Sequence, residues 1–272
     1  MNVALSFRPH ICANEAALGA IAAERIVAGI AAANAAGRRY VLGCPAGRSP
    51  RSTYAALAHS AAAQNLDLSH VHLVMMDEYV QCDGAHWALC EESAHYSCRG
   101  FGEREIRTIL NRDLPVDRQI PRAHLHVADP QAPEAYDDLI VALGGVDLFL
   151  LASGASDGHV AFNPPGVLLP QKTSLIELAL STRQDNLGTF PQFTDVDAVP
   201  RWGVSISPGS IMRLSRAVTL LLPGAGKALA LKRVQEGYDA DWPASIVHLC
   251  QQPVILADQA AYQAMEFSDA RY

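Results

Sequence analysis

Apolar residues fall along this chain in two textures that alternate. The first is a short unbroken run with no polar alternation, seen at Arg39 to Gly43, His72 to Met76, the start of the stretch Val146 to Gly166, Ala217 to Leu222 and Pro253 to Asp258. Such runs predict strands buried on both faces of a parallel sheet. The second is helical spacing. Residues 14 to 36 place Leu18, Ile21, Ala22, Ile26 and Ile30 on one face behind an Asn14-Glu15 start, and helices are likewise expected from Ser52 to Gln64, from Pro133 to Leu143, from Ile211 and from Ala228 to Glu236. At least five strand-then-helix units follow one another, which predicts a doubly wound α/β fold with a mostly parallel sheet and helices on both faces. Neither a repeat nor a linker divides residues 1 to 272, so a single α/β domain is expected.

Between these units the pattern is weaker. Residues 84 to 105, rich in His, Cys and aromatic side chains, read as a helical region, and Thr173 to Thr182 reads as extended. The proline-dotted connector from Pro115 to Pro133 carries His124 and His126 in alternation with apolar residues, which fits a short edge strand.

Composition narrows the class. The 272 residues are 50% hydrophobic and 18% charged, enough to bury a full core and to exclude general disorder. A net charge of −7, with no dense Lys/Arg run, argues against a nucleic-acid or anionic-membrane partner. The N-terminal residues lack the order of a signal peptide, and no uninterrupted apolar segment reaches membrane-spanning length, so a cytoplasmic protein is expected. Six cysteines without a CxxC pair fit reduced thiols. Cys82, Cys90 and Cys98 lie near His86 and His95, but their spacing is not that of a ligand pair, so no metal is expected there.

Chemistry concentrates where runs end. Asp157, Gly158 and His159 follow the apolar run from Val146, the place where open α/β sheets put their ligand crevices. The same Asp-Gly pair also fits an ordinary turn. After the run at residues 39 to 43 comes Cys44 to Pro50, a loop with Gly47, Arg48 and Ser49 before a helix: an anion cradle, or a turn with Gly and Ser for geometry alone. Asp77 and Glu78 end the second run, where two carboxylates are costly unless solvated, paired or functional. A second strand-loop-helix junction, Pro223 to Lys227, puts a lysine at a helix start, against the helix dipole.

Taken together, several stretches resemble one family. Asp77-Glu78-Tyr79-Val80, Asp157-Gly158-His159-Val160-Ala161-Phe162-Asn163, Ser181-Thr182-Arg183 and Gly226-Lys227-Ala228-Leu229-Ala230 stand in the order and approximate spacing of the glucosamine-6-phosphate deaminases, whose superfamily also holds the 6-phosphogluconolactonases. The resemblance covers nearly the whole chain and implies a Rossmann-like fold acting on a phosphorylated sugar. It implies Asp77 as a base moving a proton between C2 and C1, His159 as the group that opens the sugar ring, and Asp157 as its orienting partner. Gly47, Arg48, Ser49, Arg183 and Lys227 would surround the phosphate, with no metal or organic cofactor required. Oligomeric state stays open, a homo-oligomer included.

The sequence also departs from the family pattern. Pro164 stands where the deaminases carry a Glu after the Asn, Arg48 stands where the phosphate loop has a second glycine, and the lead-in to Asp157 is Ala152-Ser153-Gly154-Ala155-Ser156. Proline offers no side-chain acceptor to an imidazole. Two alternatives follow: a sugar-lactone hydrolase, in which His159 activates water, and a sugar-phosphate binding protein with impaired catalysis.

Overall fold

The structure, a computed structural model, describes residues 8 to 269. The reading of the first seven residues as free of a leader signal falls outside that range. In chain order the strands are β1 (His10–Cys12), β2 (Tyr40–Cys44), β3 (Val71–Met75), β4 (Asp77–Asp83), β5 (His86–Leu89), β6 (Leu125–His126), β7 (Leu148–Ala152), β8 (Ser174–Glu177), β9 (Trp202–Ser205), β10 (Val218–Leu222) and β11 (Pro253–Asp258). The helices are α1 (Glu15–Ala35), α2 (Arg51–Ala63), α3 (Cys98–Phe101), α4 (Thr108–Asn111), α5 (Ala135–Leu143), α6 (Leu180–Thr189), α7 (Pro208–Leu214), α8 (Ala228–Gln235) and α9 (Gln259–Asp269).

Seven strands form a parallel sheet in the order β1-β11-β10-β7-β2-β3-β6. Every residue of β2 and β10 is buried, and Phe149, Leu150 and Leu151 of β7 are fully inaccessible. Burying each such side chain stabilises the fold by about 1.5–3 kcal/mol relative to leaving it in water, which is why unbroken apolar runs end up here. Chain order reverses between β2 and β7, which are neighbours in register Leu42 to Leu148. Loops leaving such a switch point diverge to opposite faces and open a crevice at the C-terminal strand ends.

α1 is long and apolar enough to cross a membrane. It is interrupted by Glu24 and Arg25, and its Leu18, Ala22, Ile26 and Ile30 are buried in the core.

Three expectations are corrected. A second, antiparallel sheet, β5-β4-β9-β8, accompanies the parallel one. Residues 86 to 89 are therefore a strand, and the helical part of the 84 to 105 region begins only at Cys98, behind the Ser97 side-chain cap on Gly100 N–H. The extended stretch ends at Glu177, and Leu180 onward is helix, so Ser181, Thr182 and Arg183 are helical. α7 begins at Pro208, before Ile211, because the Ser207 hydroxyl caps Ser210 N–H and proline suits a first helical turn. Both core clusters draw on both sheets: Tyr79 and Ile176 pack with Leu42 and Leu73, and Val80 and Val204 pack with Val74 and Phe149.

Candidate active site

The loops after β2, β7 and β10 meet with the start of β4 and one face of α6 around a cavity of about 410 Å³. Gly47, Arg48, Ser49, Asp77, His159 and Lys227 all line it.

His159 is fixed from several sides. Its Nδ1 lies 2.7 Å from Asp157 Oδ1 and its backbone N–H donates to the same oxygen at 3.1 Å. The Ser181 hydroxyl donates to Asp157 Oδ2 at 2.5 Å, and Thr182 Oγ1 lies 3.3 Å from Nδ1. Burial pushes the Asp157 carboxyl up, but the His159 hydrogen bond and charge and the Ser181 hydroxyl outweigh it, and the group is held well below the usual carboxylate range. An ionised Asp157 only accepts, so Nδ1 carries a proton, and Nε2 is the ring nitrogen left for proton exchange. Gly154 lies against the ring edge: a Cβ there would sit 2.2 Å from Nδ1.

Asp77 opens β4 one residue past the bend at Met76 that follows Met75, the last residue of β3. Burial pushes its carboxyl up to about 7; the Cys98 thiol and the charge of His159 oppose the rise, and the Glu78 carboxylate adds to it. A carboxylate poised there both takes and returns a proton near neutral pH. Neighbouring Glu78 has a different task. It is fully buried and accepts from Tyr79 N, Ser97 Oγ, Cys98 N and Arg99 N at 2.7–2.9 Å and from the Cys90 thiol at 3.3 Å. These bonds hold residues 97 to 99 against β4 and so set Cys98 beside Asp77.

At the other end the cavity is cationic. Lys227 Nζ donates to Ser153 O at 2.6 Å; burial pushes this ammonium down, the Asp185 charge raises it, and the Arg48 charge lowers it further. Arg48 reaches across to α6, where a Cβ on Gly188 would lie 3.6 Å from its Nη2. That is ordinary contact distance, and Arg48 lines the cavity from the loop after β2.

Two expected site residues do not line the cavity: Asp157, which stands behind His159 and holds its ring, and Arg183, which takes no part in the site. Arg183 is 7% exposed, and its guanidinium donates to Val199 O at 3.3 Å and to Val196 O, with Asp197 at 3.5 Å. It ties α6 to the segment that follows, because residue 183 lies on the opposite side of the helix from 181, 185 and 189. Pro164 is also absent from the lining. It follows Asn163, whose side-chain amide donates to Val160 O, Ser205 Oγ and Ile206 O at 2.7–3.0 Å.

Four residues of α6 had no role assigned from sequence: Ser181 and Thr182, which entered only as part of a motif, and Asp185 and Asn186. With Thr189 they form one face of α6, and Asn186 Nδ2 donates to the buried Tyr79 hydroxyl at 2.7 Å. Their helical spacing was the available signal, obscured because the extended reading ran to Thr182, into the first turn of α6. Asp157, His159 and Asp185 each bring one ligand atom within 4.8 Å of the others, the one such group among the described residues. Both Asp157 oxygens are already hydrogen-bonded, and Lys227 carries positive charge beside Asp185. The donor set suits proton transfer better than a metal ion.

A parallel α/β sheet with its acid-base groups and cations gathered at the switch point defines an enzyme of the class that moves protons on small anionic substrates. Comparison with known proteins narrows the class. No family model matches the chain. A glucosamine-6-phosphate deaminase from Arthrobacter sp. (strain FB24) is 33% identical over 84% of this chain and 83% of its own length, and one from Geobacillus sp. (strain WCH70) is 31% identical over 81% and 82%. Among solved structures, a monomeric glucosamine-6-phosphate deaminase superposes with a TM-score of 0.78 at 25% identity, covering 94% of this chain and 99% of that one. The 6-phosphogluconolactonase of Trypanosoma brucei shares the fold at a TM-score of 0.63 and 21% identity, over 95% of this chain and 99% of that one. The chain belongs to the glucosamine-6-phosphate deaminase family.

Proposed function

We propose that this enzyme converts an aminosugar phosphate into a ketose phosphate and ammonia, with Asp77, Asp157 and His159 as its acid-base groups. The observation that carries this reading is the pairing, in one cavity, of a carboxylate pushed up to about 7 with an imidazole held through Nδ1 by an ionised aspartate.

In this reading the phosphate lies at the cationic end, against Arg48, Lys227 and the backbone of Gly47 and Ser49, a mixture of cations and N–H donors suited to a dianion. His159 Nε2 takes the proton of the anomeric hydroxyl as the bond from C1 to the ring oxygen breaks and C1 becomes a carbonyl, and the proton passes to the ring oxygen. Asp77 then removes the C2 proton while the C1 oxygen is protonated, leaving an enolamine. Returning the proton to C1 gives an imine at C2, and water hydrolyses it to the ketone and ammonia. Residues 1 to 272 act here as one α/β unit, a reading supported by cores shared between the two sheets, and a cytoplasmic setting is supported by the similarity to glucosamine-6-phosphate deaminases.

Incubation with glucosamine 6-phosphate tests this: ammonia and a ketose phosphate should appear in equal amounts. A second reading, hydrolysis of a 6-phosphosugar lactone by water activated at His159, is favoured by Pro164, since that chemistry needs no second acid beside the imidazole. Hydrolysis of 6-phosphogluconolactone without ammonia release from the aminosugar would select it. Binding of both phosphosugars with turnover of neither would select a non-catalytic protein.

A further inference from the structure

Asp185 is a cavity-lining acid with no role so far. It projects from the same face of α6 as Ser181 and Thr182, the two hydroxyls that contact Asp157 and His159. One of its oxygens, Oδ2, accepts from Ala155 N at 3.1 Å and from the Ser156 hydroxyl at 3.3 Å, so the loop after β7 orients the carboxylate. From there it brings an oxygen within 4.8 Å of both a His159 ring nitrogen and an Asp157 oxygen. Position 164 offers no charge to that imidazole, being a proline that does not line the cavity.

We propose that Asp185 is a positioning residue for His159: as the ring accepts the substrate's hydroxyl proton, Asp185 supplies the second negative charge that stabilises the imidazolium, from α6 and not from position 164. The step balances as written above; Nε2 gains the proton, and Asp185 neither gains nor loses one. The inference rests on the proposed use of His159 in ring opening. The charged groups that line the cavity with His159 are Glu15 from α1, Asp77 from β4, Asp185 from α6, and Arg48 and Lys227 from the two flanking loops, and Asp157 holds the ring from its own loop. Asp185 also faces Lys227, so a rival role exists: tempering the cationic end against the phosphate.

Asp185→Asn separates these roles, because the amide oxygen still accepts from Ala155 and Ser156 while the charge is lost. The free protein is titrated by histidine NMR, with His159→Gln assigning the resonance, and kcat and KM are measured with glucosamine 6-phosphate. Removing an opposite charge at this distance should lower the His159 midpoint by about one pH unit. It should also lower kcat about tenfold with KM nearly unchanged, and Asp185→Glu should recover part of the loss. An unmoved His159 midpoint overturns the proposal, as does a lower KM with unchanged kcat, the signature of the rival role. The NMR readout needs no turnover, so a shifted midpoint in a protein inactive on the aminosugar would refute the proposed function while leaving the Asp185–His159 coupling intact.

Discussion

Gly154→Ala should inactivate the enzyme without unfolding it. The backbone of Gly154 is not in the left-handed region, so alanine can adopt it without strain. Its Cβ, however, would sit 2.2 Å from His159 Nδ1, 2.5 Å from Cε1 and 2.6 Å from Asp157 Oδ1. Carbon and nitrogen rest about 3.5 Å apart, so the deficit is about 1.3 Å and the imidazole must leave its place. The Asp157 side chain cannot follow freely, being fixed by Ser181 at 2.5 Å. Misplacing a catalytic group by about 1 Å costs about 100-fold in rate. The assay is the initial rate of ammonia release at saturating glucosamine 6-phosphate, with a circular-dichroism melt to confirm folding. A folded Gly154→Ala enzyme with kcat within about threefold of wild type would refute the placement of His159, since the ring would tolerate displacement that the mechanism forbids.

Other predictions follow from the same geometry. Arg48→Ala should raise KM for the phosphosugar by about tenfold or more, the worth of one charge-assisted hydrogen bond, whereas Arg183→Ala should lower stability and leave KM unchanged; steady-state kinetics and melts on both variants decide between the two arginines. Glu78→Ala strips the shared acceptor from five donors in the interior and should cost about 3 kcal/mol or more in urea unfolding, a loss under about 1 kcal/mol contradicting its anchoring role. His72 lies 2.9 Å from His126 and stacks on His124 at 3.8 Å, and burial first, then the charges of those two rings, push it down to about 4. Its folded pKa lies below the unfolded 6.5, so its contribution is complete above pH 6.5 and is lost as pH falls toward 4. Unfolding followed by denaturant should therefore show stability declining across that window by about 1–2 kcal/mol, with a flatter decline in His72→Gln.

How much of this was legible before the structure depended on the kind of signal. β2, β3, β7, β10 and β11 were readable because a parallel strand buried on both faces must be apolar throughout. The loops after β2, β7 and β10 were readable for the same reason, since the runs mark where the chain leaves the sheet. The antiparallel sheet was not. β4 begins Asp-Glu, and the full burial of Glu78 is made tolerable only by donors from residues 79, 90 and 97 to 99, which no local pattern announces. The different placements of Arg48 and Arg183, both expected at the phosphate, were likewise tertiary. Arg48 lines the cavity from its loop, whereas the carbonyls of residues 196 and 199 capture the Arg183 guanidinium. Asp185 lay in a segment of low hydrophobicity where the helical period was faint.

The pH dependence of ammonia release from glucosamine 6-phosphate, measured as kcat/KM for wild type and Asp77→Asn, tests the central claim most directly. Activity should fall on the acid side as pH drops through about 7, where the Asp77 carboxylate takes up its proton, and Asp77→Asn should lose about 100-fold or more above that pH, the gap narrowing below it. Absence of ammonia from the wild-type enzyme, or an Asp77→Asn variant as active as wild type, would contradict it.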